Sequence, residues 1–333
     1  MINSAIIGLG VIGRGAHITS INSLENARLA AVCDTNPEKK EIAGKETAFY
    51  TDIDELLRRE KLDVVHVCLP HFLHYPVAEK IAQAGINVFA EKPLAMNARE
   101  GEAYCELEGK YNVKICLCLQ NRLNATTVKL LELLRGGSDG KVIGVRGSVA
   151  WFRPKEYYEA GKWRGIMAES GGGCMINQAI HTIDLIQYFA GSPIVSVKGT
   201  VGQVLDYGIE VEDSATARIV FENGANGLFT ASVGNFADEN VQITVRCEKA
   251  DFLLHDKKLF RVKDGVQELL AEDSLSFLGK QVYGSSHTVL IDRFYQALEG
   301  KDVPYIHPVE GMTSLRMIDA IRDSSETGET VFF

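Results

Sequence analysis

The stretch Ile6-Ile7-Gly8-Leu9-Gly10-Val11-Ile12-Gly13 carries three glycines spaced as G-x-G-x-x-G. It follows a short apolar run, Ser4–Ile7, and precedes a helix predicted to continue to about Ser23. Glycines at this spacing allow a tight turn, close approach of the backbone to a pyrophosphate, and close packing of the helix on the strand. The N-terminus of the helix then offers free N–H groups to the phosphates. The pattern alone is also typical of an ordinary glycine-rich turn, so the flanking sequence has to decide.

Asp34 follows the second predicted strand, Arg28–Cys33. It lies at roughly the 20-residue offset expected of the acid that binds the adenosine ribose. A carboxylate accepts hydrogen bonds from both ribose hydroxyls and repels a 2′-phosphate. Thr35 and Asn36 come next and bring no positive charge. We therefore expect NAD as the cofactor, with NADP less favoured.

Helical and strand patterns continue to alternate through the first third of the chain. The predicted elements are Pro37–Lys45 (helix), Asp52–Glu60 (helix), Asp63–Leu69 (strand), Tyr75–Ala84 (helix), Ile86–Ala90 (strand), Ala98–Tyr111 (helix) and Val113–Leu119 (strand). Such alternation predicts a doubly wound parallel sheet with right-handed crossovers. We expect residues 1–120 to form a dinucleotide-binding domain.

The pattern changes after about residue 123, so residues 121–333 are expected to form a second domain. Its predicted helices are Thr126–Arg135, Ile176–Ala190, His287–Glu299 and Val309–Thr327. Its long alternating segments are Lys141–Phe152, Ile194–Leu205, Ser214–Glu222, Ala225–Val233, Val241–Glu248 and Asp251–Val262. This pattern is typical of a large, mostly antiparallel sheet, and the fold class as a whole is α/β. Because few helices remain to cover that sheet, we expect a homodimer or homotetramer packed through it.

Composition excludes several classes of protein. The 333 residues include 35 Lys+Arg and 44 Asp+Glu, for a net charge of −9, which argues against a nucleic-acid partner. No apolar run approaches the roughly 20 residues that cross a bilayer, and no basic leader begins the chain, so no membrane association is expected. The seven cysteines are scattered, as in reduced cytoplasmic proteins. Cys116 and Cys118 have no second pair at metal spacing, and no metal site is expected.

Glu91-Lys92-Pro93 closes the predicted strand Ile86–Ala90. Doubly wound folds bind ligands at the carboxyl ends of their strands, so Lys92 could lie beside a nicotinamide ring. The alternative is a solvated surface lysine.

A second group of polar residues follows three glycines, Gly171-Gly172-Gly173. The glycines let the backbone pass close to a ligand or to another element. Asn177, His181 and Asp184 stand at i, i+4 and i+7, so they share one stripe of the predicted helix. A polar stripe on so apolar a helix is either solvated or lines a cleft, and we expect a cleft.

Together these motifs resemble those of the Gfo/Idh/MocA oxidoreductases. The resemblance spans essentially the whole chain and rests on the glycine turn and on four further motifs: Cys68-Leu69-Pro70-His71-Phe72-Leu73-His74, Glu91-Lys92-Pro93, Trp163-Arg164-Gly165, and Gly171-Gly172-Gly173 with His181-Thr182-Ile183-Asp184. It implies an N-terminal Rossmann domain and a C-terminal α+β domain whose large sheet often forms the oligomer interface.

The resemblance also implies roles for individual residues. Lys92 corresponds to the catalytic lysine, His181 to the general acid/base, and Asp184 to a carboxylate that binds substrate or orients the histidine. Further substrate contacts are expected from Arg122, Asn177 and Tyr158, or from its neighbour Tyr157. Expected cofactor contacts are Gly8, Gly10, Val11, Ile12, Gly13, Asp34, Leu69, Pro70, His71, His74, Glu91, Lys92, Gln120, Trp163 and Arg164. Asn177 is a departure, since many sugar dehydrogenases of the family have aspartate there.

The expected activity is hydride transfer between NAD and a secondary hydroxyl or ketone of a sugar, cyclitol or glycoside. A neutral imidazole suits removal of the hydroxyl proton, and a nearby ammonium stabilises the developing alkoxide. Two alternatives stay open from the sequence: a glycosidase that oxidises its sugar transiently on bound NAD, and a non-catalytic NAD sensor. Retention of both Lys92 and His181 argues against the sensor.

Overall fold

The first third of the chain forms a six-stranded parallel sheet, seen in a computed structural model that describes residues 1–44, 46–273 and 286–333. Its strands are β1 (Ile2–Ile7), β2 (Ala27–Cys33), β3 (Ala48–Tyr50), β4 (Val64–Val67), β5 (Asn87–Ala90) and β6 (Ile115–Leu117). They lie in the order β3-β2-β1-β4-β5-β6. Strand order therefore reverses between β1 and β4, and this is the position at which doubly wound sheets bind dinucleotides.

Four helices connect these strands: α1 (Ile18–Asn22), α2 (Ile53–Arg59), α3 (His74–Gln83) and α4 (Ala98–Tyr111). A π-helical turn, Gly13–His17, leads into α1. The helix expected at Pro37–Lys45 is a 3-10 helix, Pro37–Ala43, and the short strand β3 after it escaped the sequence analysis because three half-buried residues give no periodic pattern. The parallel doubly wound sheet expected for this part of the chain is confirmed.

The rest of the chain builds a nine-stranded sheet. Its strands are β7 (Val142–Ala150), β8 (Ile194–Gly202), β9 (Ser214–Phe221), β10 (Asn226–Ser232), β11 (Gln242–Cys247), β12 (Asp251–His255), β13 (Lys258–Lys263), β14 (Val266–Glu272) and β15 (Val331–Phe332), in the order β14-β13-β12-β11-β7-β10-β9-β8-β15. Neighbours are antiparallel except β7 and β10. The segment expected at Asp251–Val262 is thus two strands, β12 and β13, joined by a turn at Asp256 and Lys257.

Among the residues that the structure describes, seven α-helices accompany this sheet: α5 (Ala125–Gly136), α6 (Lys155–Glu159), α7 (Met167–Ser170), α8 (Cys174–Asn177), α9 (Ile180–Ala190), α10 (Ser286–Leu298) and α11 (Met312–Thr327). Helices α9 and α11 pack on one face of the sheet. The single helix expected at Ile176–Ala190 is wrong, because it breaks between α8 and α9 at Gln178 and Ala179.

Helix α10 returns the chain to the first sheet. It packs against α1, where the hydroxyls of Ser20 and Thr288 lie 2.8 Å apart. Lys114, at the start of β6, donates from Nζ to the carbonyl of Ala297. Late residues of the chain therefore help to build the environment of the dinucleotide-binding edge. Within the described ranges, no helix combines the length and the apolar character that a membrane crossing requires.

Candidate active site

The glycine turn leaves β1 at the switch point of the sheet. Gly8 has a φ of +97°, and a Cβ there would lie 2.3 Å from the carbonyl oxygen of Cys68. A Cβ on Gly13 would lie 2.1 Å from the carbonyl oxygen of Gly8. Gly10 differs, because its Cβ direction meets no atom within 4 Å. Contacts within the protein thus require glycine at positions 8 and 13. Gly10 instead faces the space in which a pyrophosphate would lie, next to Val11 and Ile12.

Asp34 sits at the end of β2 and is held by three donors. Its Oδ2 accepts from the backbone N–H of Leu9 and from Nζ of Lys39, both at 2.8 Å, and its Oδ1 accepts from the N–H of Asn36. Although burial opposes it, these donors keep the pKa of Asp34 below its usual value. A fixed carboxylate beside the glycine turn fits the adenosine ribose of NAD. Lys39 supplies a positive charge beside Asp34, which the uncharged Thr35 and Asn36 do not indicate.

The loop after β4 brings Leu69, Pro70, His71 and His74 to the same edge. His71 donates from Nδ1 to the carbonyl of Ser170 at 2.7 Å, and its ring centre lies 4.7 Å from that of Trp163. Its Nε2 is left for a ligand. The ring nitrogens of His74 lie 2.7 and 2.8 Å from the carbonyl oxygens of Pro93 and Leu69. Burial lowers the pKa of His74, and a neutral imidazole has one N–H, so His74 donates to one of these carbonyls and only lies against the other. Its ring therefore offers no nitrogen to a cofactor.

Lys92 extends from the end of β5 toward α8. Its Nζ donates to the carbonyl of Asn177 at 2.7 Å. Burial lowers the pKa of Lys92, while Glu91 and Cys118 act to raise it. The alternative of a solvated surface lysine is wrong, because the Lys92 side chain reaches across the cleft between the two sheets to the Asn177 carbonyl. The carboxylate of Glu91 instead faces the interior of the first sheet's layer.

His181 lies in the first turn of α9, near Lys92. Its Nε2 is 3.4 Å from the side-chain amide nitrogen of Gln120, and its Nδ1 is buried with no hydrogen-bond partner. Burial, reinforced by Lys92, lowers the pKa of His181 to about 3. The imidazole is thus neutral at physiological pH, so it is able to accept a proton.

The three glycines before α8 fit against other parts of the protein. A Cβ on Gly171 would lie 2.6 Å from the carbonyl oxygen of Met96, and one on Gly172 would lie 1.8 Å from the guanidinium of Arg322. One on Gly173 would lie 1.8 Å from the carbonyl oxygen of Glu212. Close approach to neighbouring elements therefore explains all three glycines, and they bring α8 and α9 against the end of β5.

Asn177 precedes the helix break and faces Tyr157. The amide nitrogens of Asn177 and Gln178 donate to the hydroxyl of Tyr157 at 3.2 and 3.1 Å. Tyr158 is only 7% exposed and packs edge-on against the Tyr157 ring. Of the two tyrosines left open by the sequence, Tyr157 is the one bonded to Asn177 and Gln178, and a substrate contact from Tyr158 stays a prediction.

Arg122 and Asp184 bind each other. The Arg122 Nε and Nη2 atoms donate to the two oxygens of Asp184 at 2.8 and 2.7 Å, and Nη1 donates to Glu310. Although burial opposes it, Asp184 raises the pKa of Arg122. Both carboxylate oxygens of Asp184 are thereby occupied. Among the described residues no hydrogen bond joins Asp184 to His181, so a role of Asp184 in orienting the histidine stays a prediction.

Trp163 and Arg164 reach the cleft from a 3-10 helix, Lys162–Gly165. The guanidinium of Arg164 lies 4.5 Å from the centre of the Tyr157 ring and donates to the Tyr157 carbonyl. Trp163 contacts His71, so the two residues link the substrate side of the cleft with the cofactor side.

The chain matches the family described as "Oxidoreductase family, NAD-binding Rossmann fold" over residues 2–118, and "GFO/IDH/MocA C-terminal domain" over residues 127–253. The chain belongs to the Gfo/Idh/MocA oxidoreductase family. It is an NAD-binding dehydrogenase or reductase of CH–OH groups, as the sequence analysis expected.

Curated relatives include D-glucoside 3-dehydrogenase of Escherichia coli (strain K12), which is 24% identical over 98% of this chain and 96% of its own length. Myo-inositol 2-dehydrogenase of Thermotoga maritima is 28% identical over 68% of this chain and 67% of its own. Among solved structures, the WlbA dehydrogenase from Bordetella pertussis, in complex with NADH and UDP-GlcNAcA, is 27% identical, with a TM-score of 0.86 and coverage of 100% of this chain and 98% of that one.

Proposed function

We propose that this protein transfers hydride between NAD and a secondary hydroxyl or ketone of a sugar, cyclitol or glycoside. The observation that carries the proposal is the meeting of Lys92 and His181 in one cleft beside the glycine turn. The ammonium bonds to the carbonyl of Asn177, and the imidazole keeps an unpaired buried nitrogen. Relatives named for glucoside and inositol oxidation support this substrate class.

NAD, when bound, accepts the hydride. The residues of the chain manage the proton and the charge. The neutral imidazole of His181 takes the hydroxyl proton as the carbonyl forms, and it returns the proton in the reverse direction. The ammonium of Lys92 stabilises the negative charge that develops on the substrate oxygen.

The polar rim of the cleft supports binding of a polyhydroxylated substrate. Asn177, Gln178 and Tyr157 present amide and hydroxyl groups there, and Arg164 lies next to them. Arg122 and Asp184 are not included among the sugar ligands, because each already satisfies the other.

The test is a panel of glucosides, free sugars, inositols and a nucleotide-linked sugar acid, each assayed with NAD and with NADP for absorbance of the reduced nicotinamide. We expect reduced cofactor to accumulate with at least one secondary alcohol and with NAD before NADP. Cleavage of a glycoside without net reduced cofactor would identify the glycosidase alternative instead. Tight NAD binding with no turnover on the panel would favour the sensor.

We also infer a homodimer or homotetramer that packs through the nine-stranded sheet. The sheet face opposite α9 and α11 presents the in-register row Ser148, Thr230, Thr216 and Thr200 around a shallow depression of about 390 Å³. Small side chains in register permit another copy to approach closely. Light scattering should return a multiple of 36.6 kDa at micromolar concentration, whereas a monomer would contradict this inference. A cytoplasmic location, suggested by seven unpaired cysteines, belongs to the same proposal.

A further inference from the structure

Two imidazoles bind the carboxylate of Glu91. The Nε2 of His17 lies 3.0 Å from Oε1 of Glu91, and the Nε2 of His287 lies 3.5 Å from the same oxygen. Glu91 is only 6% exposed. His17 comes from the turn before α1, and His287 comes from α10, near the other end of the chain. Three distant segments thus converge on one buried carboxylate next to Lys92.

Hydrogen bonds link Tyr295, His66 and His17 in a row, and each of these groups donates toward Glu91. The Nδ1 atoms of His17 and His66 are 2.7 Å apart, and Nε2 of His66 is 2.7 Å from the hydroxyl of Tyr295. Burial lowers the pKa of both histidines, so both rings are neutral. His17 must use its single N–H on the ionised Glu91, so its Nδ1 accepts from His66. His66 then accepts from Tyr295.

This chain of donors keeps Glu91 ionised in spite of its burial. Burial itself opposes ionisation, but the hydrogen bonds from His17 and His287 hold the pKa of Glu91 well below its usual value. A buried charge that is held in place by hydrogen bonds can act electrostatically on its neighbours, because little water is present to screen it.

The neighbour that needs such a charge is Lys92. Its Nζ forms a hydrogen bond to a carbonyl, and no ion pair joins it to any carboxylate in the described ranges. The carboxylate that lies against Lys92 is that of Glu91, whose Oε2 accepts from the backbone N–H of Lys92 at 3.3 Å. This carboxylate acts to raise the pKa of Lys92 against burial. The other titratable groups facing this pair are His17, His66, His71, His74, His181, His287, Cys68 and Cys118.

We propose that Glu91 is a positioning residue: clamped by His17 and His287, its carboxylate is the fixed negative charge that keeps Lys92 in its ammonium form beside the reacting hydroxyl. This inference rests on the proposed dehydrogenase function. It assigns α10 a part in the chemistry, since His287 supplies half of the clamp. It also explains why the Glu91 side chain faces inward rather than toward a cofactor.

The first test is Glu91→Gln, which keeps the shape and an acceptor oxygen but removes the charge. Lys92 then loses its proton at lower pH, so the alkaline limb of the turnover profile moves toward neutral pH by about one pH unit or more. NAD affinity stays close to that of the parent. Glu108→Gln is the matched control, because Glu108 also contacts an imidazole, that of His307, but lies on α4 outside the cleft. Its profile should equal the parent's.

A second pair of variants covers a failure of Glu91→Gln to fold. His287→Leu removes a donor to Glu91, whereas His287→Gln restores an N–H at the position of Nε2. We expect the alkaline limb to move in His287→Leu and to return in His287→Gln. A merely structural histidine would lower the melting temperature of both variants and leave the limb in place.

A readout without turnover separates this inference from the proposed function. Acetic anhydride acetylates only unprotonated amines, and peptide mass spectrometry reports the pH dependence of labelling at Lys92. In Glu91→Gln, or in His287→Leu relative to His287→Gln, labelling of Lys92 should begin at lower pH. Unchanged labelling profiles and unchanged limbs would overturn the role of Glu91. If the parent oxidises no sugar but labelling of Lys92 still begins at lower pH in these variants, only the proposed function is contradicted.

Discussion

Arg122 binds Asp184 through two parallel hydrogen bonds, with Nε and Nη2 lying 2.8 and 2.7 Å from the two carboxylate oxygens. The pair is buried, since the two side chains are 5% and 1% exposed. Asp184 stands one helical turn from His181, yet its carboxylate faces Arg122. The pair joins α9 to the segment that follows β6, so it fixes the helix that carries His181.

Asp184→Asn should therefore act on stability before chemistry. Removing one partner from a buried ion pair costs up to about 3–5 kcal/mol, and Glu310, which also pairs with Arg122, offsets only part of the lost charge. Urea unfolding measures the loss. Glu310→Gln removes the more exposed partner of Arg122 and should cost much less. A stable Asp184→Asn variant with a displaced pH profile would show that Asp184 acts on the histidine after all.

Lys92→Met should abolish most turnover while NAD still binds. Loss of one preorganised electrostatic stabiliser costs on the order of 3–4 kcal/mol in the barrier, or about 10²–10³ in kcat. Steady-state kinetics and calorimetry with NAD separate the two effects. Lys80→Met, which deletes an exposed ammonium from α3, is the matched control. Turnover within a few-fold of the parent would show that Lys92 is not catalytic.

Most of the fold was predictable because its sequence signals are local. Glycine spacing and apolar runs predicted the parallel sheet. The helical period predicted both ends of helix α4 correctly. The helix break after Asn177 was not predicted, because Gln178 and Ala179 are ordinary helix formers and carry no signal of a break.

The candidate site was predicted only where a motif carries it. Lys92 and His181 stand in such motifs. Histidines 17, 66 and 287 had no such signal, because contacts between them join residues separated by 49 or more positions. The pairing of Arg122 with Asp184 was hidden for the same reason. Sequence spacing showed that both are polar and near the cleft, but not that they would satisfy each other.

The pH profile of oxidation should lack an ordinary histidine limb. At its usual pKa, near 6.5, His181 would be charged and inactive below about pH 6. Burial and Lys92 lower its pKa to about 3, so the ring stays neutral and able to accept a proton through pH 5–8. His181→Ala should remove the activity across that whole range. A limb near pH 6.5 that disappears in His181→Ala would contradict the structure.

Stability should fall with acidification below about pH 6.5. Burial lowers the pKa values of His17, His66, His71, His74 and His181. The unfolded chain protonates these rings near pH 6.5, whereas the folded protein keeps them neutral. The unfolded state therefore binds more protons, and the free energy of unfolding drops by up to about 1.4 kcal/mol per pH unit for each histidine. Urea unfolding at pH 7.5 and 5.5 tests this, and equal values would refute it.

Because Asp34 pairs with Lys39, we expect a single substitution of Asp34 to change the preference between NAD and NADP. Asp34 repels a 2′-phosphate, but Lys39 places an ammonium 2.8 Å from that carboxylate. In Asp34→Ser the repulsion is gone and Lys39 is released to pair with the 2′-phosphate, so the preference for NAD should narrow or invert without any added arginine. The double variant Asp34→Ser with Lys39→Gln should lose the gain for NADP while binding NAD like the single variant. The ratio of kcat/KM for the two cofactors measures both effects. If the single and double variants showed the same ratio, Lys39 would have no part in cofactor choice, and the charge that decides it would have to lie elsewhere around the ribose.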